Sequence, residues 1–178
     1  MEKEDIVTFT QFCREHLVFD ENNLSSEYGY ANLPLCIIDA VFSIGVRYAS
    51  VENTVARFCE FRGVLKFGDR DVPDPSDQLS VSDFLKMYGE YGIAGMTEQV
   101  YRNRQRTSTR NGILKTEAVL RFAQIVAKYG VEYLQDIDKI LGKAEFEAEI
   151  TQIPGQRSGI SLRYFYMLAG SEDFIKPD

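Results

Sequence analysis

The spacing of apolar side chains restricts the fold of this chain more than any other feature of its sequence. Almost every periodic stretch repeats every three to four residues, as one face of an α-helix does, rather than alternating as in a strand. Helices are predicted over residues 6–18, 34–44, 50–63, 96–101, 113–129, 131–141, 144–150 and 160–168, with a further helix capped by Ser80. We therefore expect an all-α fold.

The second of these helices is expected to lie at the centre of the protein. Residues 34–44 are apolar nearly all round, which is typical of a buried helix. Residues 67–78 are rich in Asp, Pro and Gly, which is typical of a mobile loop. We interpret them as a loop rather than as a linker between domains, because amphipathic helices resume directly afterwards. With 178 residues and no internal repeat, the chain is expected to form a single helical domain over residues 1–178.

The counts of metal-ligating residues exclude several chemistries. The chain has one histidine, His16, and three widely spaced cysteines, so multi-histidine zinc sites and four-thiolate iron–sulfur clusters are ruled out. We expect neither a metal nor another cofactor. Residues 1–11 lack the apolar segment of a secretory signal, and the longest apolar run, residues 33–46, is too short for a bilayer. A cytoplasmic protein that does not bind membranes is therefore expected.

Charge is unevenly distributed along the chain. The 27 acidic residues outnumber the 20 basic ones, a balance that by itself argues against nucleic acid as a partner. Residues 1–100 hold 8 bases and 17 acids, whereas residues 101–178 hold 12 bases and 10 acids. Residues 101–115 mix arginines with hydroxyl and amide side chains, which are donors that phosphate oxygens accept. This run is either a phosphate-contacting surface or a solvated basic loop.

A second candidate feature is the segment 153–161, Ile-Pro-Gly-Gln-Arg-Ser-Gly-Ile-Ser. It is predicted to connect two helices, the second beginning near Ser158, so that unpaired backbone N–H groups point outward from the turn. Such a turn can hold a phosphate, although Pro-Gly before a helix is more often an ordinary connection. The aromatic residues 164–166 that come next are interpreted as core-packing side chains, with base stacking as the alternative.

These segments together resemble the helix–hairpin–helix DNA glycosylase superfamily, known as HhH-GPD and typified by endonuclease III, and most closely a bacterial branch of it. Residues 153–161 are similar to its hairpin, and residues 175–178 are similar to the segment that bears its essential aspartate, with Asp178 matching that carboxylate. Upstream, residues 115–119 resemble the start of the helix before the hairpin, and residues 40–43 resemble part of the central buried helix.

The resemblance covers about residues 32–178 and implies an HhH-GPD-like helical bundle, with the helix–hairpin–helix at about residues 142–170. It implies a base-excision-repair protein that binds double-stranded DNA, flips out a damaged or mispaired base and hydrolyses its N-glycosidic bond. Asp178 is implied as the catalytic carboxylate, which stabilises the sugar cation or activates water. The implied DNA-contacting residues are Gly155, Gln156, Arg157, Ser158, Gly159, Arg104, Arg106, Arg110 and Lys115.

The chain departs from the family pattern at three positions. Gly159 stands where bifunctional members carry a lysine that attacks the sugar, so monofunctional chemistry is expected unless Lys115 or Lys176 substitutes. Arg157 replaces the second hairpin glycine and either contacts phosphate directly or strains the loop. The family's aspartate normally begins a further helix, whereas Asp178 is the last residue, so we expect either a truncated sequence or a loss of activity.

Two other functions are compatible with the sequence. One is a catalytically inert helix–hairpin–helix module that binds DNA, which Gly159 and the position of Asp178 favour. The other is an acidic helical domain whose N-terminal face binds another protein. If DNA is the partner, the protein is expected to associate with the nucleoid.

Overall fold

The computed structural model describes residues 3–16, 29–68 and 72–170. Their α-helices are α1 Lys3–His16, α2 Leu33–Phe42, α3 Tyr48–Arg62, α4 Val81–Gly95, α5 Lys115–Lys128, α6 Ala144–Thr151 and α7 Ile160–Leu168. Shorter segments are a π-helical turn, Met96–Tyr101, and two 3-10 helices, Pro75–Asp77 and Leu134–Lys139. No strand forms within the described ranges, where pairing is limited to isolated bridges, so the expected all-α class is confirmed.

The helix α2 lies at the centre of the protein, as its composition predicts. All of its residues are buried, and it packs against α3, α5 and α7. Pro34 fits the first turn of this helix because the N–H that proline lacks has no intrahelical acceptor there. The aromatic residues of α7, Tyr164, Phe165 and Tyr166, are also buried, which confirms that they pack in the core.

The helix α4 begins as the sequence predicts and ends in a distorted segment. The Ser80 hydroxyl accepts a hydrogen bond from the Asp83 N–H, which is the expected N-cap. Gly92, with φ of 62°, interrupts the helical geometry before α4 ends at Gly95. The π-helical turn Met96–Tyr101 begins directly after Gly95. That turn ends at Arg102, which adopts a left-handed φ of 49° and redirects the chain into the segment 102–114.

Two predicted elements differ from those in the structure. The third helix begins at Tyr48, two residues before the predicted start, and the Ser50 N–H donates to the Arg47 carbonyl within its first turn. The predicted helix 131–141 is reduced to the 3-10 helix Leu134–Lys139, whose tight start is fixed by the Asp136 carboxylate accepting two backbone N–H groups.

None of the helices in the described ranges combines the length and the apolar character that crossing a bilayer requires. Two connections between helices carry the candidate DNA-contacting residues. We call residues 102–114, between the π-helical turn and α5, the arginine loop, and residues 152–159, between α6 and α7, the α6–α7 turn.

Candidate functional site

The α6–α7 turn forms where the sequence predicts a connection between two helices. Two glycines provide its positive backbone angles, with φ of 89° at Gly155 and 70° at Gly159. Arg157 does not adopt a positive φ, so the expectation that it strains the loop is excluded, and its side chain is exposed. The residue directly before α7, which adopts the left-handed conformation, is Gly159 and not Arg157.

Several backbone N–H groups of the turn remain available to a ligand. The Gln156 N–H donates to the Ile153 carbonyl and the Gly159 N–H to the Gln156 carbonyl, at 2.9 and 3.0 Å. The N–H groups of Gly155, Arg157 and Ser158 donate to no acceptor among the described residues. All three residues are exposed, so these N–H groups are free to donate to a ligand such as a phosphate near the start of α7.

Gln156 is held within the turn. Its side chain is buried, and its Oε1 atom accepts a short hydrogen bond from the Ser161 hydroxyl. Its backbone N–H donates to the Ile153 carbonyl. Gln156 therefore stabilises the start of α7, and its contact with DNA stays a prediction.

The arginine loop folds back on itself into a compact surface segment. The Thr107 N–H donates to the Ile113 carbonyl at 2.9 Å, and an isolated bridge pairs Arg106 with Leu114. The Arg106 guanidinium donates from Nε and Nη2 to the Gly112 carbonyl, at 2.9 and 2.5 Å. Backbone pairing therefore sets the direction in which the loop presents its side chains.

The α6–α7 turn closely approaches the arginine loop at Gly155. A Cβ atom added to Gly155 would overlap the Thr107 Cβ and lie 2.6 Å from Thr107 Oγ1. Only glycine fits this approach, because both its φ of 89° and the missing side chain are required. Because of this contact, the exposed N–H groups of the α6–α7 turn and the side chains of the arginine loop belong to one continuous surface.

The basic residues of 101–128 separate into three groups in the structure. Arg104, Arg121 and Lys128 form surface ion pairs with Glu98, Glu117 and Glu149, while Arg102, Arg106 and Arg110 pair with no carboxylate of the described residues. Exposed ion pairs of this kind are weak, about 0–1 kcal/mol, so Arg104 can exchange its carboxylate for another anion. The three exposed cations of this run without a carboxylate partner among the described residues, Arg102, Arg106 and Arg110, all lie on the arginine loop.

Lys115 is the remaining member and does not lie on the exposed surface. Its side chain is only 1% exposed, and its ammonium donates to the Phe42 and Ile44 carbonyls at 2.8 and 2.7 Å. Burial lowers the pKa of this ammonium to about 8. In this position the ammonium is bonded to two buried carbonyls rather than displayed to solvent, and a contact of Lys115 with phosphate stays a prediction.

A buried polar cluster surrounds Asp39, and the sequence does not predict it. The Asp39 carboxylate is fully buried and accepts hydrogen bonds from the Tyr30 hydroxyl at 2.7 Å and the Ser43 hydroxyl at 2.6 Å. Burial raises the pKa of Tyr30 and of Tyr164, and the Asp39 charge raises both further. The sequence signal for such a cluster is a single charged residue in the middle of an otherwise apolar helix.

The remaining site predictions concern metals and Asp178. Among the described residues, no group of three or more His, Cys, Asp and Glu side chains is arranged to hold a metal ion. The predicted catalytic residue Asp178 lies outside these residues. A cleft of about 600 Å³ lies beside the N-terminus of α2 and the end of α3, and its lining shares no residue with the arginine loop or the α6–α7 turn.

The fold defines an all-α protein with one exposed surface of arginines and backbone donors. The chain belongs to a family described as a domain of unknown function, DUF8548, which matches residues 8–178. No curated protein and no solved structure matches the chain.

Proposed function

We propose that this protein binds double-stranded DNA through the arginine loop and the α6–α7 turn, as a helix–hairpin–helix protein of the HhH-GPD type. The contact of Gly155 with Thr107 carries the proposal, because it joins two segments that each offer phosphate-binding groups. The turn supplies backbone N–H donors and Arg157, and the loop supplies Arg102, Arg106 and Arg110.

The proposed binding mode depends mainly on charge. Backbone N–H groups and guanidinium groups contact phosphates of any sequence, and they fix the protein on the duplex without reading bases. Arg102, Arg106, Arg110 and Arg157 lack carboxylate partners among the described residues, so about four phosphate contacts are expected. The affinity should therefore fall steeply with salt, with a slope of log K against log salt of about −3 to −4.

The proposed chemistry is hydrolysis of the N-glycosidic bond of a damaged or mispaired base. The hydroxyl of water bonds to C1′ of the sugar while the bond from C1′ to the base nitrogen breaks, and that nitrogen takes up a proton, which leaves a free base and an abasic site. Asp178 would stabilise the sugar cation or accept the proton from water. An amine that attacks the sugar is not expected, because Gly159 has no side chain and the Lys115 ammonium is bonded to two carbonyls.

A catalytically inert DNA-binding module is the second candidate. Gly159 has no side chain and the Lys115 side chain is buried, so neither position offers an exposed amine as a nucleophile. The groups proposed to bind DNA are still present on the surface, which favours this candidate. A third candidate, a protein-interaction domain, is favoured by α1, whose Val7, Phe9 and Phe12 are 65%, 68% and 56% exposed.

A salt-titrated binding assay tests the DNA proposal. Fluorescence anisotropy with a labelled duplex measures Kd from about 50 mM salt upward, for the wild type and for the double variant Arg110→Gln, Arg157→Gln. The matched control is Arg62→Gln, an exposed arginine at the far end of α3, roughly 20 Å along the helix from Tyr48. We expect a weaker Kd and a slope shallower by about 2 for the double variant, with no change for the control.

Two outcomes would decide among the candidates. Absence of wild-type binding at about 50 mM salt would refute both DNA-binding functions and leave the protein-interaction function. If DNA binds, release of a base from duplexes that carry damaged or mispaired bases, lost in Asp178→Asn, supports the glycosylase, whereas binding without base release supports the inert module.

A further inference from the structure

Lys115 connects elements that are distant in the sequence. Its ammonium donates to the Phe42 and Ile44 carbonyls at the end of α2, and it lies 3.5 Å from the Gln105 Oε1 atom. Its backbone N–H donates to the Gln105 carbonyl at 2.8 Å. One buried residue at the start of α5 therefore holds both the end of α2 and the arginine loop.

A second set of hydrogen bonds joins the arginine loop to α3. Gln105 Nε2 donates to the Ser50 hydroxyl at 3.1 Å, and Asn103 Nδ2 donates to the Thr54 hydroxyl at 2.9 Å. We call residues 43–47 the α2–α3 turn. Lys115 holds the N-terminal end of this turn through the Phe42 and Ile44 carbonyls, and Gln105 holds the start of α3, which comes after the turn, through Ser50.

The α2–α3 turn presents a cation next to the arginine loop. Gly45, Arg47 and Tyr48 are exposed, and Arg47 forms no ion pair with a carboxylate of the described residues. We propose that Lys115 is a positioning residue for DNA binding, which ties the α2–α3 turn to the arginine loop so that Arg47 extends the phosphate-binding surface. This inference rests on the proposed DNA-binding function.

The surroundings of Lys115 explain why its charge matters. The ammonium faces carbonyls at the negative end of α2 and, 6.0 Å away, the Phe42 ring. Neighbouring ionisable groups are engaged elsewhere: Asp39 on α2 with hydroxyl groups, Arg106 with the Gly112 carbonyl, and Arg57 on α3 with the Tyr101 and Arg102 carbonyls. No carboxylate of the described residues pairs with Lys115.

The tie is expected to weaken at alkaline pH. The folded-state pKa of Lys115 is lowered to about 8 by burial, so the ammonium loses a proton as the pH rises through this value. The neutral amine has two N–H groups for three acceptors, and its hydrogen bonds are no longer strengthened by charge. The α2–α3 turn is thus held most firmly below about pH 7 and less firmly above about pH 9.

Nuclear magnetic resonance tests the tie without DNA. The amide nitrogens of Ser43 and Gly45 belong to the same peptide groups as the Phe42 and Ile44 carbonyls, so their chemical shifts report on the Lys115 hydrogen bonds. We expect both shifts to titrate with an apparent pKa near 8 in the wild type and not to titrate in Lys115→Met. Titration that persists unchanged in Lys115→Met, or chemical shifts of Ser43 and Gly45 that are the same in the wild type and in Lys115→Met at about pH 7, would overturn the tie.

Duplex binding tests the consequence for DNA. We expect the wild-type Kd to weaken by roughly tenfold between about pH 7 and 9, and Lys115→Met to be weaker by a similar factor at neutral pH and independent of pH. Gln105→Ala, which removes the other side of the tie with little change in the core, should also weaken Kd. The matched control is Lys139→Met, which removes another lysine that donates to a backbone carbonyl, that of Gly130.

The two measurements separate the possible failures. Wild-type affinity in both Lys115→Met and Gln105→Ala would overturn the positioning role while leaving the proposed DNA binding intact. Absence of DNA binding by the wild type at any pH would refute the proposed function, and with it the role of Lys115 in DNA binding. The chemical-shift titration would still establish whether Lys115 holds the α2–α3 turn.

Discussion

The contact between Gly155 and Thr107 can be tested by adding one methyl group. Gly155→Ala places a Cβ atom against the Thr107 Cβ, whose position is fixed by the backbone and cannot rotate away. The substitution also forces a residue with a side chain to adopt a φ of 89°, which costs about 1–2 kcal/mol. Overpacking of this kind adds about 1–3 kcal/mol, so we expect a total loss of about 2–5 kcal/mol in the free energy of unfolding.

A matched glycine separates the strain from the contact. Gly142 has a similar φ of 66°, but an added Cβ there meets no atom within 4 Å. Gly142→Ala should therefore lose only the backbone contribution of about 1–2 kcal/mol. Urea unfolding monitored by circular dichroism measures both losses, and Thr107→Gly combined with Gly155→Ala should recover part of the larger one.

DNA affinity provides the second measurement for the same variants. If the α6–α7 turn and the arginine loop act as one surface, displacing one from the other should weaken Kd about tenfold or more in Gly155→Ala. Gly142→Ala should bind as the wild type does. If the two variants were equally destabilised, the close approach of Gly155 to Thr107 would not contribute to stability. If the Kd of Gly155→Ala were unchanged, the contact would not be needed for the two segments to bind DNA together.

Three further predictions concern buried polar groups. Asp39→Ala leaves the Tyr30 and Ser43 hydroxyls without their acceptor, and we expect urea unfolding to show a loss of about 2–5 kcal/mol; a loss below about 1 kcal/mol would contradict the role of the cluster. The Thr116 hydroxyl is buried without a hydrogen-bond partner among the described residues, so Thr116→Val should be neutral or stabilising by up to about 1 kcal/mol, and a clear loss of stability would contradict this. Between about pH 8 and 10.5 the unfolded chain binds more protons at Lys115 than the folded protein does, so Lys115 by itself contributes a rise in stability of up to about 3 kcal/mol, against the fall contributed by buried tyrosines such as Tyr30 and Tyr164. The stability of the wild type relative to Lys115→Met should therefore rise with pH over this range, and an identical pH dependence in both proteins would argue against the lowered pKa.

Local sequence patterns predict much of this fold. The all-round apolar character of residues 34–44 identifies α2 as the central helix, and the Ser80–Asp83 pair identifies the start of α4. These features are readable because each depends on residues within one or two helical turns. The α6–α7 turn is predicted for the same reason, since proline and glycine restrict the backbone locally.

The features that the sequence does not predict depend on contacts between distant residues. Lys115 comes after a run of arginines and shares their charge, although it lies three and four residues before the buried Ala118 and Val119 and so shares their helical face. The approach of Gly155 to Thr107 has no counterpart in local spacing, because it results from how α5, α6 and α7 pack. Spacing along the chain reports which residues share a face of one helix, but not which loops meet.

Hydrogen exchange in the presence of duplex DNA reports at once on both segments of the proposed DNA-binding surface. The experiment compares deuterium uptake of the wild type with and without a saturating duplex, at a salt concentration of about 50 mM. We expect slower exchange in both the arginine loop, residues 102–114, and the α6–α7 turn, residues 152–159, with no change in α1. Protection confined to other surfaces, or protection of only one of these two segments, would contradict the account.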